Sequence, residues 1–460
     1  MSDRVRLLNN QPLRPGGQYV LYWMQANRRV EANHALLYAA ELANEQDVPL
    51  VCYEELDCLG PQANDRCHTF VLEGVAERDR ALRKLGIGYV FRLPGREDDV
   101  PGTFERLVSG AAGLVTDDHP TLARRPDLPL SCRAVDSSCV VPMSRIRKQE
   151  YAAYTIRPKI RRMLPECLAL PKPVSVEQRL RDAFPSLHTR VAARGIKLLV
   201  ASCGIDHSVP PSITYRGRRS DAEKLLDRFL DERLRRYARQ RNEPSAHATS
   251  ELSPYLHYGL ISPLEVAVKA RDHAREHRLA AEEFLEELIV RRELSFNFTR
   301  HASRPRSLES LPEWAHKTLR AHARDQRKPV YTPEQFEHAG THDELWNAAQ
   351  KEMLLRGRIH GYYRMYWGKK IIEWSATPES ALEIMLRIHD CYALDGGDPN
   401  TYAGILWCFG LHDRPWPERP VFGNVRYMSL EGMQRKTDVA AYLKEIEDLE
   451  RTGQDAFRIQ

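Results

Sequence analysis

Apolar runs of strand length alternate with amphipathic segments of helix length through the first third of the chain. The pattern predicts strands over 18–24, 48–56, 88–95, 113–118 and 131–143, and helices over 30–46, 68–86 and 104–112. Strands and helices that alternate in this way are typical of a parallel sheet with helices on both faces. We therefore expect an α/β domain over residues 1–165.

Beyond about residue 225 the hydrophobic period becomes that of helices. Strand-like runs nearly vanish, so residues 225–460 are predicted to form an all-α domain. The segments with helical periodicity in this half are 221–241, 263–277, 281–298, 343–358 and 358–374.

Two stretches of unusual composition separate these halves. Residues 144–165 are basic and helix-like, and residues 204–220 are rich in Pro, Ser and Gly. The second composition is typical of a segment that crosses between domains. We place the interdomain linker at 166–224.

Length and composition agree with this prediction of two domains. A chain of 460 residues is too long for one compact core, and its residues are 42% hydrophobic and 28% charged. No apolar run reaches the roughly 18 residues of a membrane span, and the first residues lack the apolar core of a signal peptide. We therefore expect no association with a membrane.

Cysteine spacing and net charge limit the metal sites and partners that the sequence predicts. None of the nine cysteines forms a C-x-x-C pair, so neither a zinc site nor an iron–sulfur cluster is predicted. Free thiols in a large chain indicate a reducing cytosol. The net charge of +5 and the pI near 8.6 permit nucleic acid as a partner but do not require it.

The first half lacks the common nucleotide-binding motifs. No G-x-G-x-x-G follows the first strand, and no G-x-x-x-x-G-K-[ST] occurs. An ordinary dinucleotide or P-loop site is thereby excluded. A ligand at the carboxyl ends of the strands and a purely structural role both stay open.

Tryptophans concentrate in the helical half. Trp367 and Trp374 stand seven residues apart, so on a helix they share one face, ~10 Å apart along the axis. Core packing is the ordinary role of such residues, although polar residues surround Trp346, Trp367 and Trp374 on the predicted helices. A row of close indole rings can also pass on an electron, which aliphatic side chains cannot do. Six of the seven tryptophans lie in this half: 314, 346, 367, 374, 407 and 416.

The stretch 249–262 has the composition of a phosphate site. It begins with Thr249 and Ser250 and places Ser253 and Pro254 at the start of a predicted helix. Hydroxyl groups and free backbone N–H groups at a helix start suit an anionic phosphate. A simple N-cap is the alternative.

A carboxylate and two arginines share the amphipathic helix at 281–298. Glu287 stands four residues before Arg291, and Arg292 follows. A carboxylate in a pocket there can serve as a proton donor or a hydrogen-bond acceptor. An (i, i+4) salt bridge between Glu287 and Arg291 is the alternative.

Residues 390–416 contain the sharpest predicted turn. Asp395, Gly396, Gly397 and Asp398 must turn tightly, leaving backbone open to a close ligand, before a helix that carries Trp407. Cations interleaved with aromatic rings then suit a phosphate backbone and an unstacked base. These cations are Arg414, Arg419, Arg426, Arg435 and Lys436.

Ordered blocks in both halves resemble the photolyase/cryptochrome family, and specifically the class II cyclobutane pyrimidine dimer photolyases. The blocks are YWMQANRRVEANHALLYA, TSELSPYLHYGLIS, EELIVRREL, LPEWAHKTL, THDELWNAAQ, HGYYRMYWGKKIIEW, the LDG-GDPN turn, WCFGLHDRPW and VFGNVRYM. The resemblance implies a Rossmann-like α/β domain, a crossing linker and an all-α domain that binds FAD. It also implies that fully reduced FADH⁻ uses light to pass an electron to a flipped-out pyrimidine dimer in UV-damaged DNA, whose ring then opens.

The resemblance assigns roles residue by residue. Glu287 matches the glutamate that hydrogen-bonds the dimer, and Met365 and Trp407 match residues that line its pocket. Arg364 and Asp395 match the pair beside the isoalloxazine. The electron-transfer tryptophans are Trp367, Trp346 and Trp374. The remaining cofactor-binding residues are Tyr237, Thr249, Ser250, Leu252, Ser253, His389 and Gly396, and the DNA-binding residues are Arg291, Arg414, Arg426, Arg435 and Lys436.

Several positions depart from the family pattern close to the flavin. His389 replaces the asparagine that class II members usually carry near flavin N5, and histidine can donate a hydrogen bond or carry a proton. Gly397 and Thr401 replace the usual arginine and glycine of the turn, which removes a bidentate partner for a neighbouring carboxylate. Val290 and Arg291 occupy the stretch where many photolyases carry a second tryptophan.

These departures keep other functions open. One alternative is a flavin-based blue-light sensor that binds DNA or a partner without repair. Another is a light-independent, nucleic-acid-binding flavoprotein, which leaves the tryptophans unused. We further expect a monomer, a cytoplasmic location at a bacterial or archaeal nucleoid, and a deazaflavin-type antenna as an open possibility.

Overall fold

The computed structural model describes residues 1–95, 99–122, 127–181 and 184–455, and its N-terminal part is built on one six-stranded sheet. The strand order is β1-β6-β5-β2-β3-β4, and every neighbouring pair is parallel except β1 and β6. The strands are β1 (Val5–Leu7), β2 (Tyr19–Trp23), β3 (Leu50–Glu55), β4 (Gly88–Arg92), β5 (Ala111–Asp117) and β6 (Cys132–Val135).

The five predicted strands are confirmed, and β1 was missed. Its three residues form too short a run to show the alternation that marks a strand. It lies antiparallel at the edge of the sheet, so the predicted parallel sheet is in fact mixed. A short antiparallel edge strand is common on otherwise parallel sheets.

Helices cover both the α/β part and the C-terminal half. In the α/β part they are α1 (His34–Glu45), α2 (Asp65–Leu85), α3 (Thr103–Gly110), α4 (Ala153–Cys167) and α5 (Ile196–Ala201). In the C-terminal half they are α6 (Arg219–Arg228), α7 (Leu234–Gln240), α8 (Ser253–His257), α9 (Pro263–His277), α10 (Glu282–Leu285), α11 (Arg292–His301), α12 (Glu313–Ala321), α13 (Pro333–Glu337), α14 (Glu344–Arg356), α15 (Gly361–Trp374), α16 (Pro378–Tyr392), α17 (Pro399–Cys408), α18 (Leu430–Gln434) and α19 (Val439–Thr452). Phe229–Arg233 and Glu286–Arg291 are π-helical.

Local sequence explains where several helices begin and end. Asn33 caps α1 through its side-chain oxygen, which accepts hydrogen bonds from the N–H groups of Ala35 and Leu36. α9 begins with Ser262 as its cap and Pro263 in its first turn. α2 ends at Gly86, whose φ of +84° is costly for other residues.

The basic, helix-like stretch at 144–165 is only partly helical. Its first residues form a 3₁₀ turn and a loop, and α4 begins only at Ala153. The Pro-, Ser- and Gly-rich stretch at 204–220 is irregular until α6, as predicted.

The hydrophobic core continues from the sheet into the helical half. One cluster joins Tyr22 of the sheet and Phe70 of α2 to Leu225 of α6 and Tyr255 of α8. A second cluster lies within the helical half around α14, α15 and α16. The two halves are therefore packed together, and the proposed division at 1–165, 166–224 and 225–460 stays a prediction.

Polar contacts reinforce this junction. Arg66 of α2 donates hydrogen bonds to the backbone carbonyl oxygens of Met353 (2.9 Å) and Tyr392 (2.6 Å). Within the described ranges, no helix combines the length and apolar character needed to cross a membrane.

Candidate functional site

A cavity of about 910 Å³ opens in the helical half, and we call it the main cavity. Its walls come from α7, α8, α15, α17, the turn after α16 and the π-helical segment Glu286–Arg291. The predicted site residues that line it are Tyr237, Thr249, Ser250, Leu252, Ser253, Glu287, Arg291, Arg364, Met365, Trp367, Asp395, Trp407, Arg426 and Lys436. Those that do not line it are Trp346, Trp374, His389, Gly396, Arg414 and Arg435.

An arginine and an aspartate from distant elements meet in this cavity. The Arg364 Nη2 atom of α15 lies 3.0 Å from Asp395 Oδ2 in the turn after α16. Burial by itself would raise the pKa of Asp395, but the positive charge of Arg364 outweighs it and lowers the pKa to about 2. The Asp395 carboxylate is therefore ionised at neutral pH.

His389 is fully enclosed behind this pair. Its Nε2 atom lies 3.8 Å from Asp395 Oδ1, and Nδ1 has no hydrogen-bond partner among the described residues. Burial, followed by the charge of Arg364, lowers the pKa of His389 to about 3. The imidazole is therefore neutral near pH 7.

The turn predicted at 395–398 is confirmed. A Cβ atom on Gly396 would lie 2.8 Å from the carbonyl oxygen of His389, so a side chain does not fit there. Gly397 has a φ of +73°. Asp398 then caps α17 by accepting a hydrogen bond from the N–H of Asn400 at 2.8 Å.

The stretch that begins at Thr249 surrounds a buried charge pair. Thr249 Oγ1 donates a hydrogen bond to Glu251 at 2.6 Å, and Arg358 forms an ion pair with the same carboxylate. Burial would raise the pKa of Glu251, but Arg358 outweighs it and lowers the pKa to about 2.

Ser253 does not act as the N-cap that was the alternative for this stretch. The cap position of α8 is Leu252, which has no side-chain hydrogen bond. The Ser253 hydroxyl oxygen is buried without a hydrogen-bond partner in the described part of the chain. Its hydroxyl is thus available to a ligand in the main cavity.

Glu287 pairs with Arg241, the residue that follows α7, and not with Arg291. The expected (i, i+4) salt bridge is wrong because Glu286–Arg291 is π-helical, which brings residues five apart onto one face. Arg291 Nε accordingly lies 3.6 Å from Glu286. The wider turn directs Glu287 into the main cavity and Glu286 toward Arg157 of α4, 2.6 Å away.

Trp346, Trp367 and Trp374, which we call the tryptophan row, are contiguous. The Trp346 and Trp367 rings stack with centroids 6.4 Å apart and planes 7° from parallel. The Trp374 ring lies 6.3 Å from that of Trp346 at 67°. Trp367 reaches the main cavity.

The expected polar surroundings of these tryptophans are wrong. All three belong to the hydrophobic core of the helical half, because packing of α14 against α15 places them in the interior. Indole nitrogens nevertheless find partners: Trp346 donates to the Trp367 carbonyl oxygen at 3.0 Å and Trp367 donates to Gln350 at 2.9 Å. Core packing and electron transfer are compatible roles here.

Two predicted DNA-binding cations stand beside one aromatic ring close to the main cavity, which one of them, Arg426, lines. The guanidinium groups of Arg414 and Arg426 lie 5.2 and 5.0 Å from the Trp416 ring centroid. A smaller cavity of about 300 Å³ adjoins the main one and is lined in part by Arg426, Arg435 and Lys436. Arg414, Arg435 and Lys436 are exposed.

Sequence reasoning missed several residues of the main cavity. Arg241, Glu251, Arg358 and His360 all line it. The Arg358–Glu251 pair joins residues 107 positions apart, and no local pattern indicates such a contact. No sequence pattern indicates the φ of +60° at Glu251 either.

The lining suits a large, anionic and partly aromatic ligand such as FAD. Polar atoms buried there without a partner among the described residues include Ser253 Oγ, Arg358 Nε, His360 Nε2 and Arg364 Nε. Such atoms destabilise the fold unless a ligand or a water molecule forms hydrogen bonds with them. The volume also lies within the range of cofactor sites.

Fold and cavity together define a protein with an α/β part and a helical part that carries an aromatic-walled, ligand-sized site. Residues 20–178 match the DNA photolyase family model. The deoxyribodipyrimidine photo-lyase of Methanothermobacter thermautotrophicus is 39% identical, covering 97% of this chain and 99% of that one. The Arabidopsis thaliana deoxyribodipyrimidine photo-lyase is 37% identical, with coverages of 97% and 93%. The chain belongs to the DNA photolyase family.

A solved structure shows the same fold. An archaeal photolyase from Sulfolobus tokodaii, described with two FAD molecules, superposes with a TM-score of 0.67 at 16% identity. The match covers 95% of each chain. The two-part architecture predicted from the sequence is thereby confirmed.

Proposed function

We propose that this protein repairs DNA by splitting cyclobutane pyrimidine dimers in a light-dependent reaction, with reduced FAD bound in the main cavity, as a class II enzyme. One observation carries the proposal: Glu287, Met365 and Trp407 share a single cavity with the Arg364–Asp395 pair. A dimer-binding set and a flavin-binding set therefore face the same space.

Two groups of residues that line the main cavity would hold the cofactor. Arg364 and Asp395 would flank the isoalloxazine, while Thr249, Ser250 and Ser253 would meet the phosphates. When bound in its reduced form, FAD supplies a light-excited electron. The Arg364–Asp395 ion pair would provide a fixed dipole for the ring, and neutral His389 would add no further charge.

Glu287 would orient the damaged bases. Its carboxylate is held by Arg241 at the end of α7, so it would keep acceptor oxygens directed into the cavity. A carboxylate accepts a hydrogen bond from a pyrimidine N3–H, which fixes the base plane. Met365 and Trp407 would supply apolar contact surface for an extruded dimer.

The tryptophan row would restore the reduced state of the cofactor. Trp367 lines the main cavity, and ring contacts continue from it through Trp346 to Trp374. An electron supplied at the Trp374 end thus has an aromatic path to the cavity.

The cations on and near the main cavity would hold the damaged strand without reading its sequence. Arg414, Arg426, Arg435 and Lys436 would meet phosphates, and Trp416 would offer a face for a base. Such contacts position a strand and leave recognition to the lesion itself.

A blue-light sensor is the second candidate, and Arg291 favours it. This arginine lines the main cavity where many photolyases carry a second aromatic wall, so a charged group faces the space for the dimer. A sensor needs the flavin and the tryptophan row but no dimer pocket.

The deciding experiment uses chemically reduced, flavin-loaded protein and an oligonucleotide with one thymine cyclobutane dimer. We expect loss of the dimer in blue light and none in the dark. Unchanged dimer in the light, with bound reduced flavin confirmed by its absorbance, would reject repair and favour the sensor.

A further inference from the structure

The basic stretch singled out in the sequence has no role in the proposed site. Residues 144–162, which we call the basic segment, contain seven basic residues and one acidic residue, Glu150. Its net charge of +6 exceeds the +5 of the whole chain. Outside this segment, acidic and basic residues nearly cancel, so the segment dominates the basic character of the protein.

Several of these cations are free to meet a ligand. Arg147, Lys148 and Arg162 are exposed, and among the described residues they form no ion pair within 4 Å. Arg157 and Lys159, by contrast, are half-buried and paired with Glu286 and Glu150. The segment thus presents uncompensated positive charge to solvent.

Exposed aromatic rings lie among these charges. Tyr154 is 65% exposed and Tyr151 is 46% exposed, and their ring centroids are 6.3 Å apart. The Trp314 indole nitrogen donates a hydrogen bond to the Tyr151 hydroxyl at 3.2 Å, which extends the aromatic surface to α12. The three rings thus form one contiguous, partly exposed aromatic surface, and such contiguous surface often marks a binding site.

The basic segment contacts residues that adjoin the wall of the main cavity. His412 donates from Nδ1 to the Tyr151 carbonyl oxygen at 2.7 Å, and it follows α17, which carries Trp407 of the cavity wall. On the other side, Arg157 and the cavity residue Arg291 both lie beside Glu286. The segment is therefore near enough to the cavity wall to contact a long ligand that extends beyond the cavity.

We propose that the basic segment binds the DNA strand that flanks the lesion, with Arg147, Lys148 and Arg162 on phosphates and Tyr154 stacked on an unpaired base. The inference rests on the proposed function. Cations that track a backbone and aromatic rings that stack on bases are the combination that binds single-stranded or locally opened nucleic acid. The cations at Arg414 and Arg426 would hold the strand at a separate point close to the main cavity.

The test measures binding in the dark, where no repair occurs. Full-length, flavin-loaded protein is titrated with a duplex that carries one thymine cyclobutane dimer, at salt concentrations from 50 to 300 mM. In a triple variant, Arg147→Gln, Lys148→Gln and Arg162→Gln, we expect Kd to rise roughly tenfold or more and the salt slope to fall by roughly two to three.

A matched triple variant controls for net charge. Lys84→Gln, Arg106→Gln and Lys197→Gln remove three exposed cations that lie outside the segment and the cavity. We expect this control to bind as the unaltered protein does. Equal weakening by both triples, or no change in the first, would overturn the proposal.

Tyr154 is tested by two substitutions. Tyr154→Ser should raise Kd about fivefold or more, the low end of base–aromatic stacking, whereas Tyr154→Phe should restore binding. Equal behaviour of the two variants would exclude stacking. Because all these measurements are made in the dark, failure of the light-driven repair assay rejects the proposed function separately.

Discussion

At the scale of single residues, the charge state of His389 is set by its surroundings. Burial and the neighbouring Arg364 lower its pKa to about 3, with Asp395, Asp398 and His257 also acting on it. In the unfolded chain the same imidazole would titrate near 6.5. Keeping the ring neutral inside the fold therefore lowers the stability of the folded protein at acidic pH.

We predict that His389→Asn makes the protein less sensitive to acid. Because the unfolded chain binds the His389 proton below about pH 6.5 and the folded chain binds it only near 3, this group lowers stability as pH falls through that interval. The contribution is at most about 1.4 kcal/mol per pH unit. Urea unfolding of both proteins at pH 7, 5 and 4 measures it, and identical pH slopes would refute it.

Trp367 is the second residue whose role can be isolated. We predict that Trp367→Phe abolishes photoreduction of the bound flavin, because Trp367 is the member of the tryptophan row that lines the main cavity. Flavin absorbance is followed under blue light with an external reductant. Trp314→Phe, outside the row, is the control and should leave the rate unchanged. Photoreduction at the normal rate in both variants would exclude this path.

At the scale of elements, the π-helical segment Glu286–Arg291 decides which carboxylate faces the main cavity. Its wider turn separates two adjacent glutamates: Glu287 pairs with Arg241 in the cavity, and Glu286 pairs with Arg157 of α4. A regular α-helix there would have paired different residues. The π-helical geometry of this segment thus determines which glutamate faces the main cavity.

The two glutamates provide a matched pair of variants. Glu287→Gln should slow repair roughly 10- to 100-fold, the effect of losing one charge-assisted hydrogen bond. Glu286→Gln should leave repair intact and lower the unfolding free energy by about 1 kcal/mol or less. Single-turnover repair and thermal unfolding distinguish the outcomes, and a slower Glu286→Gln enzyme with normal Glu287→Gln would reverse the assignment.

At the scale of the whole molecule, Glu293 joins the helical half to the α/β part. Its carboxylate accepts hydrogen bonds from the N–H groups of Val140 (2.6 Å) and Val141 (3.1 Å) across the junction. Burial raises the pKa of Glu293 to about 8 despite these donors. The folded protein therefore binds a proton that the unfolded chain has released.

We predict that Glu293→Gln flattens the pH dependence of stability between about 4.5 and 8. With Glu293 present, stability is greatest below the ordinary pKa of 4.5 and falls as pH rises through about 8, by at most about 1.4 kcal/mol per unit. The amide keeps an acceptor oxygen and does not titrate. Denaturant unfolding at pH 5, 6.5 and 8 is the measurement, and an unchanged slope would contradict the assignment.

The elements were predictable because burial repeats with a local period. The five longer strands and the helix at 263–277 follow directly from apolar spacing, and the tight turn at 395–398 follows from its glycines. β1 was not predicted because three residues are too few to show a period. The π-helical segment was not predicted because the hydrophobic patterns of α and π turns differ little.

Apolar periodicity predicts the alternating α/β half and the helical half, and composition shows which tryptophans and cations are available. Packing of distant elements pairs Glu287 with Arg241, 46 residues away, and Glu251 with Arg358, 107 residues away. It also decided that the tryptophan row lies in the core, since separate helices bring its rings together. The physical reason is that periodicity encodes which face of an element is buried, whereas packing of distant elements determines which side chains meet.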